Sequence, residues 1–158
     1  MLELRPAQKG DIPLILQFIK DLAEYERLSD IVVANEELLE ESLFGDCRYA
    51  EVVLAYYDGQ PAGFALFFHN YSTFLARPGI YLEDLFVKPE FRRKSIGKAL
   101  LSHLAQIALD RKCGRLEWSV LDWNTPAIDF YKSIGAKAMD EWTVFRLTGE
   151  SLNKLAES

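Results

Sequence analysis

Three hydrophobic rhythms follow one another along the chain. The first is helical. After a short strand reading LELRPA, the apolar positions Ile12, Ile15, Leu16, Ile19, Leu22 and Ala23 share one helix face, with Asp11 placed to cap it. Pro13 is tolerated because it falls in the first turn. Asn35 precedes a second, shorter helix running to about Phe44, with acidic residues at its positive end. The second rhythm is extended. Residues 50–57 (AEVVLAYY) predict a strand and Asp58–Gly59 a hairpin turn. The return strand, PAGFALFFHN, is so uniformly apolar that both of its faces must be covered. A loop over 71–79, ending in Pro78–Gly79, leads into the strand IYLEDLFV. The third rhythm alternates. Ile96, Ala99, Leu100, Leu104, Ile107 and Ala108 mark a helix over 96–112 that closes at Cys113–Gly114, with basic residues in its last turn. A strand (RLEWSVL) follows, then a helix from about Thr125–Pro126 to Gly135, two closing strands over 137–147 and a short helix from Glu150.

The predicted order is β-α-α-β-β-β-α-β-α-β-β. An antiparallel meander that passes into a strand–helix–strand unit implies an α/β (α+β) fold. Its sheet is mixed and mostly antiparallel, with helices on its faces. The strands carrying LFV and EWSVL should be parallel neighbours, and ligands bind where such strands end. With no repeats or linkers, residues 1–158 read as a single domain.

Composition narrows this picture. Half of the 158 residues are hydrophobic, enough for a sizeable core, and no apolar run is long enough to span a bilayer. The N-terminus lacks a signal-peptide pattern. Cys47 and Cys113 suit a reducing compartment as small buried hydrophobes, although nothing forbids their pairing. A soluble cytoplasmic domain is expected, without membrane contact. A net charge of −6 argues against nucleic-acid binding. Acidic residues gather in EYE (24–26), NEELLEE (35–41), LED (82–84) and MDEW (139–142), whereas basic residues crowd into KPEFRRK (88–94). That asymmetry allows one anionic and one cationic ligand, though a solvated charged face would look the same.

The basic loop stands between an apolar strand and a helix start, an arrangement that offers unpaired N–H groups to a pyrophosphate. It carries a single glycine, Gly97, and has neither a GxxxxGK[ST] nor a GxGxxG pattern. The alternative is an ordinary helix start with Ser95 as N-cap. Further candidates are Tyr131, whose phenol could protonate a leaving group, and the pair Glu83–Asp84, of which one member can point to a given side of the strand. His69 and His103 have no metal-ligand spacing, and no metal is expected. Trp118, Trp123 and Trp142 read first as core or interface residues.

Three segments in this order, LRPAQKGDIPLILQFIKDLAEYE, YLEDLFVKPEFRRKSIGKALL and DWNTPAIDFYKSIGA, resemble the GNAT superfamily of acyl-CoA-dependent N-acetyltransferases. Within it they are most similar to the diamine (spermidine/spermine) N-acetyltransferases and their thialysine-acetylating relatives. The resemblance runs from Arg5 to about Leu147 and implies a V-shaped cleft between two parallel central strands, with acetyl-CoA as co-substrate.

It further implies roles for named residues. Backbone groups of Leu85, Phe86 and Val87 hold the pantetheine arm, where a bulge splays the strand from its neighbour. The family's Arg/Gln-x-x-Gly-x-Gly/Ala pattern maps to Arg92 and Gly97 at its ends, with Ser95 in place of the inner glycine. The segment Arg93, Lys94, Ser95, Ile96, Gly97 and Lys98 wraps the pyrophosphate. Asn124 and the start of the following helix, Pro126 and Ala127, touch the coenzyme, and Tyr131 protonates the departing thiolate. Glu83 accepts the proton of the attacking ammonium. Tyr25, Glu26, Glu83, Asp84 and Glu141 face the amine, with Glu117, Trp118 and Ser119 on the opposite strand. The loops SDIVVAN and NYSTFLARPG depart from the polyamine enzymes, with Thr73 where those have an acidic residue. A small primary amine is therefore a firmer expectation than a polyamine. Homodimerisation is implied too. A protein or peptide N-acetyltransferase, or a CoA-binding regulatory dimer with little turnover, are the alternatives.

Overall fold

A computed structural model describes all 158 residues. Strands β1 (Leu2–Pro6), β2 (Glu51–Tyr57), β3 (Gln60–Ser72), β4 (Arg77–Val87) and β5 (Leu116–Trp118) form one sheet in sequential order. The first three pairings are antiparallel and β4–β5 is parallel, as the hydrophobic pattern predicts. The Asp58–Gly59 turn has both residues at positive φ, the conformation that matches the twist of a two-residue hairpin.

Helix α1 (Ile12–Tyr25) covers one face of the sheet, with α2 (Glu36–Phe44) against it. Ile15, Phe18 and Leu22 of α1 and Leu43 of α2 meet Val52, Leu54, Phe64 and Phe86 in a buried cluster. Phe18 stacks on Phe64 at 5.4 Å between ring centres and tilts against Phe86 at 6.2 Å. Such aromatic pairs contribute about 0.5–1.5 kcal/mol each beyond burial. Helix α3 (Ile96–Asp110) packs against β2, β3, β4 and β5. The alternate strand residues Val53, Ala65, Phe67, Ile80 and Leu82 are buried, as are Ile96, Leu100, Leu104 and Ala108 of the helix.

Helix ends follow side-chain chemistry in part. Asn35 caps α2 by accepting from the Leu38 N–H. Asp11 stands at the N-cap of α1 but accepts instead from the Gln8 N–H, because a 3₁₀ turn over Lys9–Asp11 precedes the helix. At the far end of α1, Arg27 adopts positive φ. The Leu28 N–H donates to the Ala23 carbonyl and the Arg27 N–H to the Glu24 carbonyl, a Schellman closure that leaves Glu26 as the C-cap.

Several expectations are corrected. The predicted 71–79 loop is only a tight hairpin, since β3 continues to Ser72 and β4 begins at Arg77. Pro78 and Gly79 lie inside β4, paired with Tyr71 and Asn70. Near a strand start the missing proline N–H is tolerated. Strand β5 has three residues rather than the seven of RLEWSVL. Cys47 is exposed in the segment after α2, while Cys113 is buried, and both are free.

The chain divides into two units, Met1–Ser119 and Val120–Ser158. The second contains α4 (Thr125–Ser133) and α5 (Gly149–Glu157). Gly135, at φ 94°, closes α4 through the Ala136 N–H to the Tyr131 carbonyl. The two strands expected over 137–147 do not form. A strand needs a hydrogen-bonding neighbour, and here the backbone makes a turn bond from Trp142 to Met139 instead. Trp142, Val144 and Phe145 are 77%, 81% and 91% exposed.

Candidate functional site

The parallel pairing that positions the site is short. Ile80, Tyr81 and Leu82 pair with Leu116, Glu117 and Trp118, and β4 then continues to Val87 without β5 beside it. The edge of Glu83–Val87 is thereby open on the β5 side. On its other side β4 stays paired with β3, so the strand is held while its edge is offered. Gly63 lets the strands approach closely here, because a Cβ on it would collide with the Phe86 carbonyl oxygen.

A bulge falls at the start of this open stretch. Leu66 of β3 faces Asp84 and Phe67 faces Leu82, which leaves Glu83 as the extra residue. Glu83 is exposed and Asp84 partly buried. Glu26, the C-cap of α1, approaches the same place. Burial, then the charges of Glu83 and Glu26, push the Asp84 carboxyl from 3.8 up to about 7. Burial and then Glu83 also raise Glu26. Three carboxyl groups thus converge at the mouth of the open edge, an arrangement suited to a cation that brings a proton to give away. Residue spacing placed Glu83 and Asp84 on alternate sides; the resemblance implied a bulge in this strand, and the register against β3 puts its extra residue at Glu83.

At the other end of the open edge lies the basic loop. A 3₁₀ turn over Pro89–Phe91 leads to Arg92, and Arg93 and Ser95 both have positive φ, at 68° and 61°. Ser95 stands at the N-cap position of α3, in the left-handed conformation, and its side chain makes no capping bond. Arg93, Lys94, Ser95 and Lys98 are exposed around the helix start. A Cβ on Gly97 would meet only the Val87 side chain, at 4.0 Å. These features fit a phosphate group: free donors at a helix start, cations around it, and backbone that can be approached closely. Arg92 behaves differently, its Nε donating to the Val87 carbonyl at 3.0 Å.

The remaining candidates separate into two groups. On β5, Glu117 accepts from the Asn70 amide at 3.1 Å and pairs with Arg115. Ser119 shares a 2.7 Å hydrogen bond with Tyr81, a residue that sequence reading did not single out. Tyr25 ends α1 beside Glu26, and Trp118 closes β5. Asn124, Pro126, Ala127 and Tyr131 belong to the second unit, on and just before α4, and Glu141 lies in its non-helical segment. No three His, Cys, Asp or Glu side chains come together in a metal-holding group. No helix is long and apolar enough to cross a membrane.

Residues 17–136 match the acetyltransferase (GNAT) family. The chain is 42% identical to the thialysine N-epsilon-acetyltransferase of Bos taurus over 166 aligned positions, covering 97% of this chain and 96% of that protein. It is 32% identical to the L-ornithine N5-acetyltransferase of Arabidopsis thaliana, covering 96% and 86%. Among solved structures, an integron cassette protein from the mobile metagenome of V. cholerae superposes with a TM-score of 0.82 at 33% identity, covering 99% of this chain and 98% of that one.

Proposed function

Because the chain belongs to the acetyltransferase (GNAT) family and is an N-acetyltransferase, we propose that it transfers an acetyl group from acetyl-CoA to the primary amine of a small, lysine-like cationic acceptor. The observation that carries this reading is the three-carboxylate cluster at one end of an open strand edge with a basic, uncapped helix start at the other. The relatives' acceptors, thialysine and ornithine by name, are amino acids with a terminal amine. Diamines remain within the same class.

Acetyl-CoA supplies an activated thioester when bound. In this reading Arg93, Lys94, Ser95, Ile96, Gly97 and Lys98 hold its phosphates, and Leu85–Val87 offer backbone groups to the pantetheine arm and the acetyl oxygen. An alkylammonium carries its proton at neutral pH and cannot attack until it loses it. Glu83 orients the ammonium, and the Glu83–Asp84 pair accepts the proton. The freed nitrogen forms the new N–C bond as the C–S bond breaks. Tyr131, assigned through the NTPAIDFYKSIGA resemblance, returns a proton to sulfur. Asn124, Pro126 and Ala127 are coenzyme contacts by the same resemblance. Glu117, Trp118 and Ser119, and separately Glu141, are assigned to the acceptor by the same resemblance. The reading includes a cytoplasmic homodimer, and the exposed Trp142, Val144 and Phe145 give a second copy apolar surface to cover.

The test is thiol release from acetyl-CoA with putrescine, spermidine, spermine, lysine, ornithine, thialysine, an aminoglycoside and a basic peptide. Release above background is expected with the amino acids first. Turnover with the peptide alone would replace this reading with a protein acetyltransferase. CoA binding with no turnover would replace it with a regulatory binding protein.

Ser95 provides a second check. A non-glycine residue in the left-handed region costs about 1–2 kcal/mol, and glycine returns roughly half of that through its greater freedom in the unfolded chain. Ser95→Gly is therefore expected to raise the thermal midpoint by about 2 °C. Calorimetry should find CoA bound at least as tightly. Weaker binding would show that the serine hydroxyl is itself a phosphate donor.

A further inference from the structure

Arg92 opens the basic loop, yet its side chain is engaged away from it. Its Nε donates to the Val87 carbonyl at 3.0 Å, and its guanidinium lies 5.0 Å from the Tyr25 ring centre and 5.7 Å from that of Phe86. Phe86 and Val87 end β4, and Tyr25 ends α1. One side chain thus reaches from the loop across the strand end to the C-terminus of the helix. A cation is electrostatically favoured there, where the helix dipole is negative. The next residue, Glu26, is locked as the C-cap by the Schellman bonds of Arg27 and Leu28, and its carboxyl feels the charge of Glu83 and acts on Asp84. Phe86 also rests against Phe18 of α1, so the guanidinium lies over one ring at the end of α1 and a second ring that packs against the same helix.

We propose that Arg92 is a positioning residue that couples the two halves of the site: order in the basic loop fixes Arg92 on Tyr25, and Tyr25 fixes Glu26 for the amine. This deepens the acetyl-transfer reading and rests on it. Cofactor binding then raises amine affinity, and by linkage the amine raises cofactor affinity equally. Arginine suits the role because a planar guanidinium can stack on rings while its Nε donates. Lysine keeps the charge but loses both.

The experiment measures binding of the best amine with and without saturating CoA, together with both Michaelis constants, in wild type, Arg92→Lys, Tyr25→Leu and the double variant. In wild type, CoA is expected to tighten amine binding by about fivefold or more. In Arg92→Lys the enhancement should collapse, and both Michaelis constants, each measured at saturation with the other substrate, should rise by a similar factor, while CoA binding without amine stays unchanged. Tyr25→Leu should lose the same enhancement, and the double variant should lose no more than either single one. Thermal midpoints confirm that each variant folds, and Arg92→Gln substitutes if Arg92→Lys does not. A raised acetyl-CoA KM with the enhancement intact would make Arg92 a phosphate ligand and overturn the proposal alone. A wild-type chain that acetylates no amine overturns the acetyl-transfer reading, and the proposal with it.

Discussion

Tyr131→Phe is expected to lower kcat by about 10²–10⁴-fold while leaving CoA binding intact. The size follows from the leaving group. Direct attack by an amine expels a thiolate, and a positioned proton donor shares that charge as it develops. A phenol keeps its proton at neutral pH and is available to give it. The substitution isolates this role because it removes one oxygen and keeps the ring. The ring lies tilted against Phe130 at 5.9 Å, and the Tyr131 backbone carbonyl takes the Ala136 N–H that closes α4. Both contacts survive the substitution, and a thermal melt of the variant reports any change in stability apart from the chemistry. Single-turnover thiol release, beside calorimetric CoA binding, separates chemistry from affinity. Unchanged turnover would mean that water protonates the sulfur.

Asp84→Asn should move activity and stability in opposite directions. Ionising the Asp84 carboxyl is unfavourable in the folded chain, where burial and two neighbouring charges raise it from 3.8 to about 7. Between those values the folded chain binds more protons than the unfolded one, so stability falls as pH rises. This contribution is fully present below about pH 4 and is lost as pH rises through about 7. At most it amounts to about 4 kcal/mol, because each tenfold change in proton affinity is worth about 1.36 kcal/mol. Asparagine has no proton to lose. The variant should therefore melt several degrees above wild type at pH 8, and the gain should disappear near pH 4. Activity should go the other way. In wild type, kcat/KM should climb through an inflection near pH 7 as the carboxylate forms. Asp84→Asn should fall by about 10²-fold and lose that inflection. Thermal melts and kcat/KM across pH 4–9 check both. An inflection that survives the substitution would assign it to another group.

Much of the architecture could be read from local chemistry. Period-two runs, the Asp58–Gly59 turn, the Asn35 cap and the Gly135 closure are short-range effects, and each appears where the residues call for it. The basic loop and the acidic YLED stretch were also legible, because charge at a strand end is visible in one dimension. The misses all depend on partners. Pro78–Gly79 has the composition of a turn, but pairing with Tyr71 and Asn70 draws it into β4. Residues 137–147 have the composition of strands, but no neighbour supplies the ladder. Cys47 has a buried residue's chemistry in an exposed segment. YLEDLFV reads as one alternating strand, and only the register against β3 shows that Glu83 interrupts it. Arg92 stacking on Tyr25 links positions far apart in the chain, which no local pattern encodes.

The interruption at Glu83 acts as a parity switch. Ahead of it, even-numbered side chains of β4 (Ile80 and Leu82) turn to one side of the sheet. Beyond it, even-numbered side chains (Asp84 and Phe86) turn to the other. Were the strand regular, Asp84 would share the side of Leu82, away from Glu26, and Phe86 would lose Phe18 and Phe64. The Asp84 carboxyl beside Glu26 and the Phe86 ring beneath α1 are therefore consequences of one inserted residue. Natural variation can recolour this strand by substitution, but it cannot lengthen or shorten the strand by a single position without trading the carboxyl and the phenyl ring for their neighbours at once.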